Sequence, residues 1–184
     1  MPDPFKWLSP SAQRWALLSF FLMSILLLTA MLILDRALIS AAAPNGIVSF
    51  ELAGNIDHAR KILTAWGSEG KVYASLSLGL DYLFLIVYAL FISLACVRIA
   101  TQFNLRFTFL ATWGFVLGWA QFLAALLDAI ENFALIKIVF GSLRETWPAI
   151  ARWCALVKFG IVGVGLIYIL TGTLLILVLN RKKR

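Results

Sequence analysis

Long uncharged apolar runs limit the fold of this chain more than any other feature. The first run, 15–34, contains 20 residues without a charge. A helix needs about 20 residues, at 1.5 Å each, to cross the hydrocarbon core of a bilayer. Three further runs are interrupted by one charge at most: 72–97, 107–127 and 153–179. The pattern predicts four transmembrane helices.

The composition agrees with a membrane protein. Hydrophobic residues make up 62% of the 184 residues and charged residues 14%, whereas about a quarter of the residues in a soluble domain are charged. No polar segment is long enough to fold as a separate soluble domain. We therefore predict an all-α fold, a single membrane domain over 1–184 that forms a transmembrane four-helix bundle. The predicted spans are about 13–36, 73–98, 107–130 and 152–179.

The net charge of +7 indicates membrane topology rather than nucleic-acid binding, because many basic residues flank the spans. The side with both termini holds eight Lys and Arg residues and the other side seven, but only one acid, Asp3, lies on the first side. Basic residues in short loops and tails mark the cytoplasmic side, and the loop 98–106 and the tail 181–184 are such places. We expect both termini in the cytoplasm. Attraction of anionic lipid headgroups by the tail is a less favoured alternative to its role as a topology signal.

With this topology, two longer connections, about 40–71 and 133–151, lie on the extracytoplasmic side of the membrane. In the first, 47–52 has a strand-like composition, and 55–66 places Ile56, Ala59 and Leu63 at helical spacing. The latter predicts a short extracytoplasmic amphipathic helix on the membrane surface. The sequence leaves open whether 133–147 continues the third helix or folds back.

Charged residues inside the spans mark the place where a function is expected. Ionisable groups in hydrocarbon are costly, so they usually face the interior of the protein and pair with one another. The direction of each helix places Asp81, Asp128 and Lys158 at a similar depth, toward the outer leaflet. The third helix also has a stripe of small and polar residues at helical spacing: Gly114, Gly118, Gln121, Ala125, Asp128 and Asn132. This stripe begins with a spacing that lets helices approach closely.

We therefore predict a polar cluster of five residues that opens toward the outer face: Asp81, Asp128, Glu131, Asn132 and Lys158. One lysine against three carboxyls leaves excess negative charge. A protonated carboxyl, a bound cation, or a second basic group from Arg152 or His58 would reduce it.

The sequence excludes several other kinds of functional site. A single histidine, His58, excludes a multi-histidine metal or haem site, and no phosphate-binding loop or zinc motif is present. We expect no cofactor and no metal. The expected partners are membrane lipids, and either a protein partner or a second copy of the chain through the face with Gly114 and Gly118.

Three segments resemble a family of small bacterial membrane proteins of unknown activity: LDYLFLIVYAL (80–90), LLDAIENFAL (126–135) and FELAG…ARKILTAW (50–66). The resemblance implies four spans and a bacterial inner (plasma) membrane location. It implies no activity.

Three functions remain open at this point. The first and favoured one is a non-catalytic accessory, structural or partner-binding membrane protein. The second is a protein or enzyme that binds lipids or small hydrophobic molecules with the polar cluster. The third, proton or ion translocation, is least favoured because the inner half offers few polar residues beyond Ser93, Thr101 and Gln102. A closed bundle with Lys158 bridging Asp81 would favour the first function, and a cavity that reaches the cluster would favour the second.

Overall fold

A computed structural model of the protein describes residues 2–103 and 107–181. Within these ranges the chain is helical and forms no β-strand, as the all-α prediction requires. The helices are α1 (Pro10–Asp35), a 3₁₀ helix (Arg36–Leu38), α2 (Ile47–Glu51), α3 (Ile56–Phe103), α4 (Thr108–Val139) and α5 (Thr146–Arg181). Arg106 and 182–184, which enter the topology prediction, lie outside the described residues.

Three helical stretches in the described residues are long and apolar enough to cross a membrane. They are Pro10–Leu38, Ile56–Phe103 and Thr146–Arg181. The third predicted span, 107–130, corresponds to most of α4, and its crossing stays a prediction.

Helix α3 is central to the packing. It contacts α1, α4 and α5, and α4 also packs against α5. In the most apolar 18-residue stretch of α3, 67% of the residues are buried. In the corresponding stretches of α1 and α5, 11% of the residues are buried. Large apolar side chains of α1 and α5 are therefore left exposed, such as Leu26 and Leu170.

The segment 47–52, predicted to be strand-like, is helical: α2 forms a single short helix there. The Asp35 carboxylate accepts a hydrogen bond from the backbone N–H of Ile47 at 2.6 Å, and Gly46 before it has a φ of 54°, which glycine adopts at little cost. A cap supplied by the distant Asp35 and a turn at the adjacent Gly46 thus override the weak strand preference of 47–52.

The predicted amphipathic helix is present as the first part of α3, and a non-helical residue, Gly67 (φ 64°), separates it from the rest. Its apolar stripe does not lie against a membrane surface. Ile56, Ala59, Leu63 and Trp66 are buried against α2 and the ends of α4 and α5, because the chain itself supplies the apolar cover that we had expected from lipid. The indole of Trp66 also donates a 2.7 Å hydrogen bond to the Leu38 carbonyl.

The structure settles the question about 133–147, because α4 continues to Val139. There the chain leaves the helix through Gly141, which has a φ of 90°. The N–H of Gly141 donates to the Ile138 carbonyl, and that of Ser142 to the Lys137 carbonyl, both at 2.9 Å. This pair of bonds is a Schellman motif, which satisfies the last carbonyls of a helix.

Candidate functional site

Helix α4 supplies three members of the polar cluster from adjacent turns. Glu131 and Asn132 follow Asp128 by three and four residues, a spacing that puts their side chains on the same helix face as Asp128. All three are buried. The polar stripe predicted for this helix therefore faces the protein interior.

Lys158 of α5 binds two of these residues. Its Nζ lies 2.6 Å from Asp128 Oδ1 and 2.9 Å from Glu131 Oε2. The contact with Asp128 is a hydrogen bond, whereas the contact with Glu131 is an ion pair whose angles fall outside hydrogen-bond geometry. The second oxygen of Asp128 accepts a 2.9 Å hydrogen bond from the Tyr88 hydroxyl, so Asp128 is fully engaged.

Asp81 of α3 joins the cluster through a neutral partner. The side-chain amide of Asn132 donates to Asp81 Oδ2 at 2.7 Å. The structure thus brings together all five residues of the predicted cluster. Lys158 does not contact Asp81, however. A bridge between these two residues would have favoured a purely structural role, and the structure does not form it.

Glu51 of α2 is a further acidic member that we did not predict. Its side chain is buried, its carboxyl lies beside that of Glu131, and its Oε2 has no hydrogen-bond partner among the described residues. Burial raises the pKa of Glu51; Lys158 opposes this effect and Asp128 reinforces it. Two ionised carboxylates can only accept hydrogen bonds, so one of this pair must hold a proton before they can bond to each other.

A cavity of about 440 Å³ lies against the cluster. This volume falls in the range of about 300–1,000 Å³ that is usual for ligand pockets. One side consists mainly of apolar residues from α1, Phe21, Ile25, Leu28, Met31 and Leu32, together with Ser24 and, at the end of the helix, Asp35. The other side contains polar cluster residues and their neighbours: Glu51, Ser77, Asp81, Tyr88, Asp128 and Lys158. We call these the apolar wall and the polar wall of the α1–α5 cavity.

The mouth of the cavity lies between α1 and α5. The lining residues with large exposed surfaces belong to these two helices, for example Leu32 and Phe159. At the end of the cavity near α2, the lining residues Ile47 and Glu51 are buried. The predicted opening toward the outer face depends on how the chain is oriented in a membrane, and it stays a prediction.

The two basic residues proposed as extra counter-charges are elsewhere. Arg152 is exposed, with its guanidinium over Gly54, and the exposed ring of His58 lies 3.3 Å from the Ala53 carbonyl. Thr101 and Gln102 in the other half are also exposed. Ser93 is buried there with Gln121.

The face of α4 that carries Gly114 and Gly118 packs against α3 and α5 of the same chain. A Cβ on Gly114 would meet the Tyr168 hydroxyl and, at 2.7 Å, Ala100; one on Gly118 would meet Val97 at 2.9 Å. Association of two chains through this face would require α4 to separate from α3 and α5.

Comparison with known proteins adds no relative, so the resemblance to small four-span bacterial proteins stays a prediction. No protein-family model, curated protein or solved structure matches this chain.

Proposed function

We propose that this protein is a multi-pass membrane protein that binds a lipid or another small hydrophobic molecule in the α1–α5 cavity. The observation that supports this most directly is the cavity itself. It joins an apolar wall on α1 to a buried polar wall that contains Asp81, Asp128 and Lys158. Mostly apolar lining with a few convergent polar groups is typical of small-molecule sites.

In this proposal α1, α3, α4 and α5 each cross the bilayer as a four-helix bundle, with both termini in the cytoplasm. The exposed apolar surfaces of α1 and α5 support membrane insertion, since contiguous apolar surface of this extent is rare on soluble monomers. Reporter fusions at the two termini and at residue 142 test the orientation. The termini should report cytoplasm and residue 142 the opposite side.

The position of the mouth suggests a route for the ligand. The exposed lining residues of α1 and α5 are apolar, so a hydrophobic molecule enters from the bilayer without crossing a polar surface. A molecule dissolved in lipid already sits at the height of the opening, and it meets the polar wall only after entering.

The ligand-binding proposal is tested by filling the cavity. Leu28 lines it, whereas the neighbouring Leu26 is 63% exposed and does not. We expect protein extracted in mild detergent to retain a hydrophobic molecule, identified by mass spectrometry of the extracted lipids. Leu28→Trp should lose most of it, and Leu26→Trp should retain it.

Two results would contradict the proposal. One is that the wild-type protein retains no molecule above the level of bulk membrane lipid. The other is that Leu28→Trp and Leu26→Trp retain the same molecules in the same amounts, with melting temperatures close to that of the wild type. Either result would leave the accessory or structural role, in which the ion pairs of Lys158 only hold α4 and α5 together.

A further inference from the structure

The distribution of charge over the polar wall indicates the ligand's head group. Four carboxyls lie together here, from Glu51, Asp81, Asp128 and Glu131, with one cation, Lys158. The chain's own counter-charge, Lys158, also lines the cavity, but two carboxyls already engage it. Lys158 binds Asp128 and Glu131, and Glu131 does not line the cavity.

The carboxyls left without a cation are Glu51 and Asp81, and both line the cavity. Asp81 has only the neutral amide of Asn132. Glu51 is 7% exposed, and the described chain supplies no hydrogen-bond donor to its Oε2. A buried acceptor without a donor destabilises the protein, so this arrangement is unfavourable until a donor arrives.

Other sources of positive charge do not reach this place. Arg152 and His58 point elsewhere, as described above. Across residues 2–103 and 107–181, no group of three or more acidic, histidine or cysteine side chains is arranged to hold a metal ion. The missing donor is therefore a proton or a group on the ligand, and a cationic group on the ligand supplies both the donor and the counter-charge.

We propose that the cavity binds an amphiphile with a primary or secondary amine head group, which Glu51 and Asp81 bind as an ammonium while the hydrocarbon tail lies along the apolar wall. This inference rests on the proposed function and names the ligand class. An ammonium offers two or three N–H donors to carboxylate acceptors, and its charge offsets the excess negative charge of the polar wall.

Ser24 of α1 fits the same head group. Its hydroxyl has no hydrogen-bond partner among the described residues, and it lines the cavity on the wall facing the carboxyls. A serine hydroxyl can accept a hydrogen bond from an ammonium as well as donate one. Ser24 thus joins Glu51 and Asp81 as a polar side chain that lines the cavity and has no cationic partner.

The experiment compares three ligands that share a chain and differ in the head group. Full-length protein in phosphatidylcholine nanodiscs is loaded with radiolabelled dodecylamine, which is displaced with unlabelled dodecylamine, 1-dodecanol or dodecanoate. We expect dodecylamine to bind at least tenfold more tightly than dodecanol, and dodecanoate to bind most weakly. Equal or tighter binding of dodecanoate would overturn the inference.

Carboxyl variants test the named residues. Glu51→Gln and Asp81→Asn should each weaken dodecylamine binding at least tenfold while changing dodecanol binding less than threefold. Glu69→Gln, an exposed acid outside the cavity, should change neither. Glu51→Gln should keep the wild-type melting temperature, because its Oε2 has no hydrogen-bond donor to lose. If Glu51→Gln does not fold, the amine preference of Asp81→Asn and of Ser24→Ala tests the inference instead. An unchanged amine preference in the folded variants would overturn the inference.

The failure of this inference differs from the failure of the proposed function. If dodecanol and dodecylamine bind equally and Leu28→Trp abolishes both, the cavity binds hydrophobic molecules and the amine assignment is wrong. If none of the three ligands binds and Leu28→Trp changes nothing, the proposed function is wrong as well.

Discussion

The two walls of the α1–α5 cavity are built in opposite ways. The polar wall belongs mainly to α3, α4 and α5, which pack against one another. Hydrogen bonds within the chain hold several of its side chains: Tyr88 to Asp128, Asn132 to Asp81 and Lys158 to Asp128. The apolar wall belongs to α1, in which Leu27 is the one buried residue. A wall held by directional bonds presents its groups in fixed positions, whereas a wall of loosely packed apolar side chains adapts to the shape of what it touches.

This contrast also inverts the usual relation between polarity and burial. The ionisable residues of the polar cluster lie on buried helix faces, whereas the exposed surfaces of α1 and α5 are highly apolar. Such an arrangement is expected where lipid rather than water is the solvent, since ionisable groups then face the protein interior. Three substitutions in the walls, and a fourth where α4 packs against its neighbours, test whether the walls differ in stability as well as in chemistry.

Loss of the central cation should have the largest effect. Lys158→Met leaves Asp128 and Glu131 without their ion-pair partner, and breaking a buried pair on one side costs about 3–5 kcal/mol. Thermal or SDS-induced unfolding in detergent measures the change. Lys137→Met, at an exposed lysine of α4, should cost less than about 0.5 kcal/mol. Equal stability of the two variants would show that the polar wall is not held by Lys158.

A methyl group added between the packed helices should have the next largest effect. In Gly114→Ala the new Cβ meets the Tyr168 hydroxyl and Ala100, and overpacking of this kind costs about 1–3 kcal/mol. Gly163→Ala on α5 is the matched control, because nothing lies within 4 Å of its Cβ. Comparable unfolding curves for both variants would mean that α4 packs less closely than the structure indicates.

Loss of one hydrogen bond in the polar wall should have a smaller effect. Tyr88→Phe removes the donor to Asp128 Oδ2, and side-chain hydrogen bonds within membrane proteins contribute about 0.6 kcal/mol on average and up to about 1.7. The free energy of unfolding should fall by an amount in this range. A loss above about 3 kcal/mol would indicate that Tyr88 does more than position one carboxylate.

The apolar wall should tolerate its own polar change best. Ser24→Ala removes a hydroxyl that has no partner within the described chain, so the ligand-free protein should change by less than about 0.5 kcal/mol. The same unfolding assay measures it. A marked loss of stability without ligand would show that α1 packs through Ser24, and the contrast between the two walls would then be wrong.

The sequence predicts the polar cluster well and the cavity not at all, for different physical reasons. Helical periodicity and depth determine which side chains share a face, and they bring Asp81, Asp128 and Lys158 together. Glu51 is missed because its helix is one turn long and is capped by Asp35, twelve residues earlier in the chain. The cavity is missed because periodicity states which face of α1 points inward but not how far that face lies from α5.

The attachment of α1 at both ends has a consequence for the membrane around it. Near its outer end Asp35 binds the N–H of Ile47, and beyond it the Leu38 carbonyl binds Trp66; near the other end Phe5 packs with Leu94 and Val97 of α3. The uncharged run 15–34 of α1 extends about 30 Å, which matches the roughly 30 Å of hydrocarbon in a typical bilayer. In the proposed orientation a thinner bilayer would therefore make α1 tilt, because the tilt of a helix depends on the bilayer thickness. Lipid chain length becomes a variable that sets the distance between α1 and α5, and with it the room for a ligand.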